Sequence, residues 1–102
     1  MICVMATIEV AAGRREEFLV AFRKLVPSVR TERGCIEYGP MIDVATAIPG
    51  QPPDRANVVT VVEKWESVAA LEAHLMTPHM REFRKMTDEM RAGISLQILQ
   101  PA

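Results

Sequence analysis

Asn57-Val58-Val59-Thr60-Val61-Val62-Glu63-Lys64-Trp65-Glu66 is the stretch that decides the fold. Its β-branched residues suit a pleated strand. A strand with one wet face alternates apolar and polar side chains. The centre, Val58 to Val62, is instead apolar at both parities, which predicts that both of its faces are covered.

The same signature recurs at the N-terminus, in Ile2-Cys3-Val4-Met5-Ala6-Thr7-Ile8-Glu9-Val10. Between these two strands lies a helix predicted over 14–30. Phe18, Phe22, Leu25 and Val29 recur at helical spacing, and Leu19 and Val26 widen the stripe. Glu16 and Glu17 suit the positive end of its dipole. Pro27 is expected to kink the helix or end its regular part. Glu32-Arg33-Gly34 then closes it, and Cys35-Ile36-Glu37-Tyr38 starts a second strand that loosens through Gly39 and Pro40. The prolines of 49–54 predict an exposed turn.

Beyond Trp65, Ser67 is a predicted N-cap. The helix that follows should turn Val68, Leu71 and Leu75 inward. Thr77-Pro78 restarts it, with Thr77 as cap and Pro78 at the first helical position. Met80, Phe83, Met86 or Thr87, and Met90 continue the apolar stripe. Gly93 is predicted to cap the C-terminal end, and Ile94, Leu96 and Ile98 to begin a final alternating strand.

The order is β-α-β-β-α-β, an α+β ferredoxin-like domain with a four-stranded antiparallel sheet and two helices on one face. A chain of 102 residues makes one such domain. Alone it removes only about two thirds of its unfolded surface from water. The helices cover one sheet face, while the first and third strands are apolar on both. A second copy, packed sheet against sheet as a homodimer, is the simplest cover.

A net charge of −1 gives no attraction to a polyanion, and Lys and Arg do not cluster with aromatic residues, so nucleic acid is not an expected partner. No segment is long and apolar enough to span a bilayer. The N-terminus lacks a basic leader and is expected to be a strand, not a signal peptide. Cys3 and Cys35 form neither a CxxC pair nor a disulfide framework, which fits two reduced thiols in the cytoplasm. Gly-rich phosphate loops and nucleophile elbows are absent.

Two stretches carry a resemblance. Glu32-Arg33-Gly34-Cys35-Ile36-Glu37-Tyr38 matches E-x-G-C-x-x-Y at the start of the second strand. Glu63-Lys64-Trp65, followed by Leu71 and His74, matches E-x-W and then L-x-x-H. With the break at Thr77-Pro78-His79 and the element order, the chain resembles the antibiotic biosynthesis monooxygenase family. That resemblance implies a dimeric α+β barrel and, in its oxygenase members, turnover of small phenols or quinols with no cofactor. The Trp that lines the pocket of anthrone-oxidising members matches Trp65. Their Asn and Tyr positions hold Val61 and Leu71 here, and Arg84 or Lys85 stands for their basic residue.

Each candidate has a functional and a structural reading. Trp65 either stacks on an aromatic ligand or fills the core with its N–H satisfied. His74 titrates near neutral pH and is the leading catalytic base, or else it bonds across the helix–strand packing. His79 is expected to be exposed. It lies five residues from His74, about 140° around a helix, with no acidic residue at a metal-triad spacing, so no metal site is predicted. Tyr38 either offers a phenol to a cavity or belongs to a dimer strand. Glu63, on the same strand face as Trp65, is expected to pair with a base such as Arg. Met76, Met80, Met86 and Met90 are a soft lining. The expected function is cofactor-independent oxygenation of a phenol or quinol held by Trp65, Tyr38, Glu63, His79 and Arg84, with His74 as base. A binding module that uses the same cavity without chemistry is the alternative.

Overall fold

In the computed structural model, which describes all 102 residues, strand β1 (Ile2–Val10) lies inside a four-stranded antiparallel sheet ordered β2-β3-β1-β4. Helix α1 (Arg15–Arg30) leads to β2 (Cys35–Met41) and β3 (Val58–Trp65). Helices α2 (Val68–Leu75) and α3 (Pro78–Met86) and a single 3₁₀ turn (Asp88–Met90) precede β4 (Arg91–Leu99). This is the β-α-β-β-α-β order, with the second helix broken at Met76-Thr77.

The period of two sorts β1 and β3 sharply. Ile2, Val4, Ala6 and Ile8 are buried, as are Val59, Val61, Glu63 and Trp65 opposite them. Helix α1 closes that face with Phe18, Leu19, Phe22, Leu25, Val26 and Val29. The other face carries Cys3, Met5, Thr7, Val58, Thr60 and Val62, each half-buried within a single chain.

Several expectations need correction. Helix α1 does not end at Pro27 but runs through it to Arg30; Pro27 is exposed, so the carbonyl it leaves without a donor can turn to water. Strand β2 continues through Gly39 and Pro40, with Pro40 opposite Val61. It tolerates proline because it is an edge strand, with one side free of ladder bonds. Gly93 does not cap a helix: it lies inside β4 opposite Glu9, where the chain has already turned extended at Arg91. Val68 and Leu75 are exposed, and only Leu71 and His74 of α2 are buried. A helix of two turns has a narrow inner face, and here a histidine takes half of it. At α3, Thr87 is the buried residue and Met86 points outward. The caps fall where the sequence puts them: Ser67 accepts from the Ala70 amide and Thr77 from the Met80 amide.

Candidate functional site

All three phenylalanines, the tyrosine and the tryptophan belong to one buried aromatic group, and His74 completes it. Phe18 meets Phe22 and Phe83, Phe22 stacks on Tyr38, and Tyr38 meets Trp65 and His74 edge to face. The His74 and Trp65 rings lie 4.6 Å apart. Aromatic packing of this kind fixes ring orientation more narrowly than aliphatic packing does.

A tight turn brings His74 its first partner. Gly34 has φ of +85°, open to glycine at no steric cost. A Cβ there would lie 2.7 Å from the Ala70 Cβ, so the turn presses directly on α2. This close approach places Glu32 against His74. The His74 Nδ1 lies 3.0 Å from both Glu32 carboxylate oxygens, and His79 Nε2 lies 2.6 Å from Glu32 Oε2. A carboxylate can only accept, so His74 donates from Nδ1 and keeps its lone pair on Nε2. His79, expected to be exposed, is held half-buried by this bond. Glu32 is the residue that sequence reasoning missed: it stands first in the E-x-G-C stretch, but its partners are 42 and 47 residues away.

Between the sheet and α2–α3 lies a largely apolar cavity of about 120 Å³. Engineered apolar cavities on the order of 150 Å³ hold benzene. Tyr38, Glu63 and His74 line it, with Ile94 and Leu96 of β4 on the open side and Arg84 and Arg91 at the rim. Within the chain, the Tyr38 hydroxyl, the second Glu63 oxygen and His74 Nε2 have no hydrogen-bond partner. No side-chain nitrogen or oxygen that is sealed from solvent lacks one. These three polar atoms therefore reach the cavity. Arg84 and Arg91 are held in place by backbone carbonyls, Arg84 by that of Leu75 and Arg91 by that of Arg84. Arg91 was not singled out from the sequence, because it opens a strand and has no motif around it.

Trp65 does not line the cavity. It is wholly buried behind His74, and its indole N–H donates to Glu63 Oε1 at 2.9 Å. Glu63 has no cationic partner, contrary to the expected pairing with a base; the tryptophan supplies its one hydrogen bond. Met80 is the one methionine among the cavity's lining residues.

The electrostatics follow from burial. Desolvation holds the His74 pKa below the ordinary imidazole value, and the Glu32 bond opposes this without overcoming it. Burial pushes the Glu63 carboxyl up; the Trp65 hydrogen bond partly offsets this, and Glu32 adds to it. Burial also pushes the Tyr38 hydroxyl up, with Glu63 and Glu32 acting in the same direction. At neutral pH the site thus offers a neutral imidazole, a protonated phenol and two guanidinium groups, which offset the Glu63 carboxyl beside them, around an apolar space. That set can take a proton from an acidic hydroxyl and hold the resulting anion.

The sequence model of the family described as antibiotic biosynthesis monooxygenase matches residues 1–86. The chain is 39% identical over 103 aligned residues to the Escherichia coli K12 protein named "Probable quinol monooxygenase YgiN", covering 99% of this chain and 98% of that one. Among solved structures, PA3566 from Pseudomonas aeruginosa superposes with a TM-score of 0.82 at 26% identity, covering 99% of this chain and 93% of that one. A crystal structure of an antibiotic biosynthesis monooxygenase superposes with a TM-score of 0.80 at 20% identity, covering 100% and 99% of the two chains, and supports the fold.

Proposed function

The chain belongs to the antibiotic biosynthesis monooxygenase family, and from that premise we propose that it oxygenates a small quinol with dioxygen, using no cofactor. One observation carries this reading: the unpartnered Nε2 of a neutral, carboxylate-oriented histidine opens on an apolar cavity beside a protonated tyrosine.

His74 Nε2 takes the proton of one quinol hydroxyl. The Tyr38 hydroxyl and the Arg84 and Arg91 guanidiniums stabilise the oxyanion. The electron-rich anion passes electrons to dioxygen. One oxygen atom bonds to a ring carbon and the other leaves as water, so a quinol and dioxygen give a hydroxyquinone and water. The apolar walls exclude solvent and hold the ring against the reacting oxygen. Glu32 fixes the His74 tautomer, and Trp65 backs its ring and binds Glu63. His79 acts from outside the cavity.

The same reading makes the chain a homodimer in a reducing cytoplasm. The half-buried outer sheet face, with Met5, Val58 and Val62, supports a second copy as cover. Two unbridged cysteines, Cys3 and Cys35, fit a reducing compartment.

The test is oxygen uptake over a panel of benzo- and naphthohydroquinones, with ¹⁸O₂ tracing into the product. The expected result is one labelled oxygen in the quinone and one in water. Ligand-induced thermal stabilisation without any oxygen uptake would favour the binding-module alternative and sink the enzyme reading.

A further inference from the structure

The His74–Glu32–His79 chain joins two spaces. On the inside, His74 is about 1% exposed and its Nε2 reaches the cavity. In the middle, the Glu32 side chain is 10% exposed. On the outside, His79 is 32% exposed and stands in a groove between α1 and α3, with Lys24, Ser28 and Glu82. Phe83 lines both the cavity and the groove, so it is the wall between them. The three titratable groups pass around that wall in contacts of 3.0 and 2.6 Å. A histidine that served only to pack would need no second ring on its carboxylate partner. Here one carboxylate bonds a buried ring and a solvent-facing ring at once.

We propose that Glu32 and His79 are positioning residues that form a reversible proton relay between His74 and bulk water. This deepens the quinol reading and rests on it for its substrate. When Nε2 takes the quinol proton, His74 passes its Nδ1 proton to Glu32. Glu32 becomes a carboxylic acid; exchange with water moves the His79 proton from Nε2 to Nδ1, the freed Nε2 takes the Glu32 proton, and the outer Nδ1 releases one to water. The carboxylate and a neutral ring at each end are then restored. The overall reaction of quinol and dioxygen to hydroxyquinone and water releases no net proton. The proton withdrawn at the anion stage must therefore come back to the oxygen that leaves as water. Its return along the same two hydrogen bonds resets the His74 tautomer. The groups that face His74 and set this balance are Glu32 after α1, Tyr38 of β2, Glu63 of β3, and His79 and Arg84 of α3.

His79→Gln tests the relay, because the glutamine amide still donates to Glu32 but carries no titratable proton. In dilute, bulky buffer its kcat should fall by roughly tenfold or more, with KM little changed, and high concentrations of imidazole should restore it. Glu32→Gln should show the same loss without rescue. Ring ¹⁵N NMR of the unliganded protein reads the relay apart from turnover. His74 should be the Nδ1–H tautomer, and its nitrogen shifts should change with pH in a second step that vanishes in His79→Gln. Coupled titration in a protein that turns over no quinol would keep the relay and defeat the substrate reading. Full turnover in His79→Gln with no buffer dependence, or His74 nitrogens blind to His79, would overturn the relay.

Discussion

The Trp65 indole donates its N–H to Glu63 Oε1 at 2.9 Å, and that bond is the only one that the buried Glu63 carboxylate makes. The pair lies two residues apart on β3, on the face that points to the helices. A carboxylate with one neutral donor is poorly compensated for its lost hydration.

Glu63 therefore weakens the fold at neutral pH. Its folded pKa is raised above the unfolded value of about 4.3. Its contribution is fully present below that value and is lost as pH rises through the folded pKa. Glu63→Gln keeps an oxygen for Trp65 and carries no charge. We expect it to gain on the order of 1 kcal/mol at pH 8, roughly 4–8 °C in melting temperature, and much less at pH 4. Calorimetry at both pH values checks this; an equal shift at both would show that charge is not the cause.

His74 should set the acid limb of the pH–rate profile. Its pKa is lowered, so the neutral base is already formed at pH 7, and kcat/KM should fall only below the free imidazole value of about 6.5. The same depression makes stability full above that value and draws it down as pH falls toward the folded pKa. His74→Asn keeps a donor near the Nδ1 position but has no base. Its turnover should drop by roughly a hundredfold or more. His74→Ala should instead cost stability, about 2–4 kcal/mol, because it empties a wholly buried site beside Trp65. Oxygen-electrode rates paired with urea unfolding separate the two effects.

Gly34→Ala should damage the site from outside it. Alanine at φ of +85° is strained, and its Cβ would meet that of Ala70 at 2.7 Å. A loss of about 1–3 kcal/mol is expected. The Glu32–His74 bond should loosen with it, seen as faster exchange of the His74 Nδ1 proton by NMR. A variant with unchanged stability and an unchanged Nδ1 signal would show that the turn does not position Glu32.

Val62→Arg tests the dimer. Val62 pairs with Met5 on the sheet face away from the helices, so the helix-side core is untouched. Light scattering should find the parent as a dimer at micromolar concentration, with an interface on the order of 2,000 Å² or more, and the variant as a folded monomer. A parent that is monomeric at that concentration would remove the homodimer from the proposal.

The element order was legible in the sequence because it rests on local patterns. The doubled apolar parity of β1 and β3, the stripe from Phe18 to Val29 and the Ser67 and Thr77 caps each concern residues within a turn or a strand of one another. The misreadings came where a local rule met a tertiary context. Pro27 and Pro40 are tolerated because one faces water and the other lies on an edge strand. Gly93, which reads as a helix cap, serves in a strand because its missing side chain leaves room for Glu9, whose Oε2 would lie 3.3 Å from an added Cβ.

By itself, then, the sequence determined the β-α-β-β-α-β order and two central strands apolar on both faces, while the grouping of Tyr38, Glu63, Trp65 and His74 is what the family resemblance implies. Backbone periodicity and the E-x-W and L-x-x-H spacings carry that much. Only the tertiary structure decided which of these atoms meet. It put Trp65 behind the cavity instead of in it, gave Glu63 an indole N–H in place of a cation, and brought Glu32 across 42 residues to His74. Hydrogen bonds and burial act over a few ångströms, and the chain crosses such gaps only by folding. Glu32 reaches His74 because Gly34 lets β2 turn against α2, a contact that no spacing along the sequence encodes.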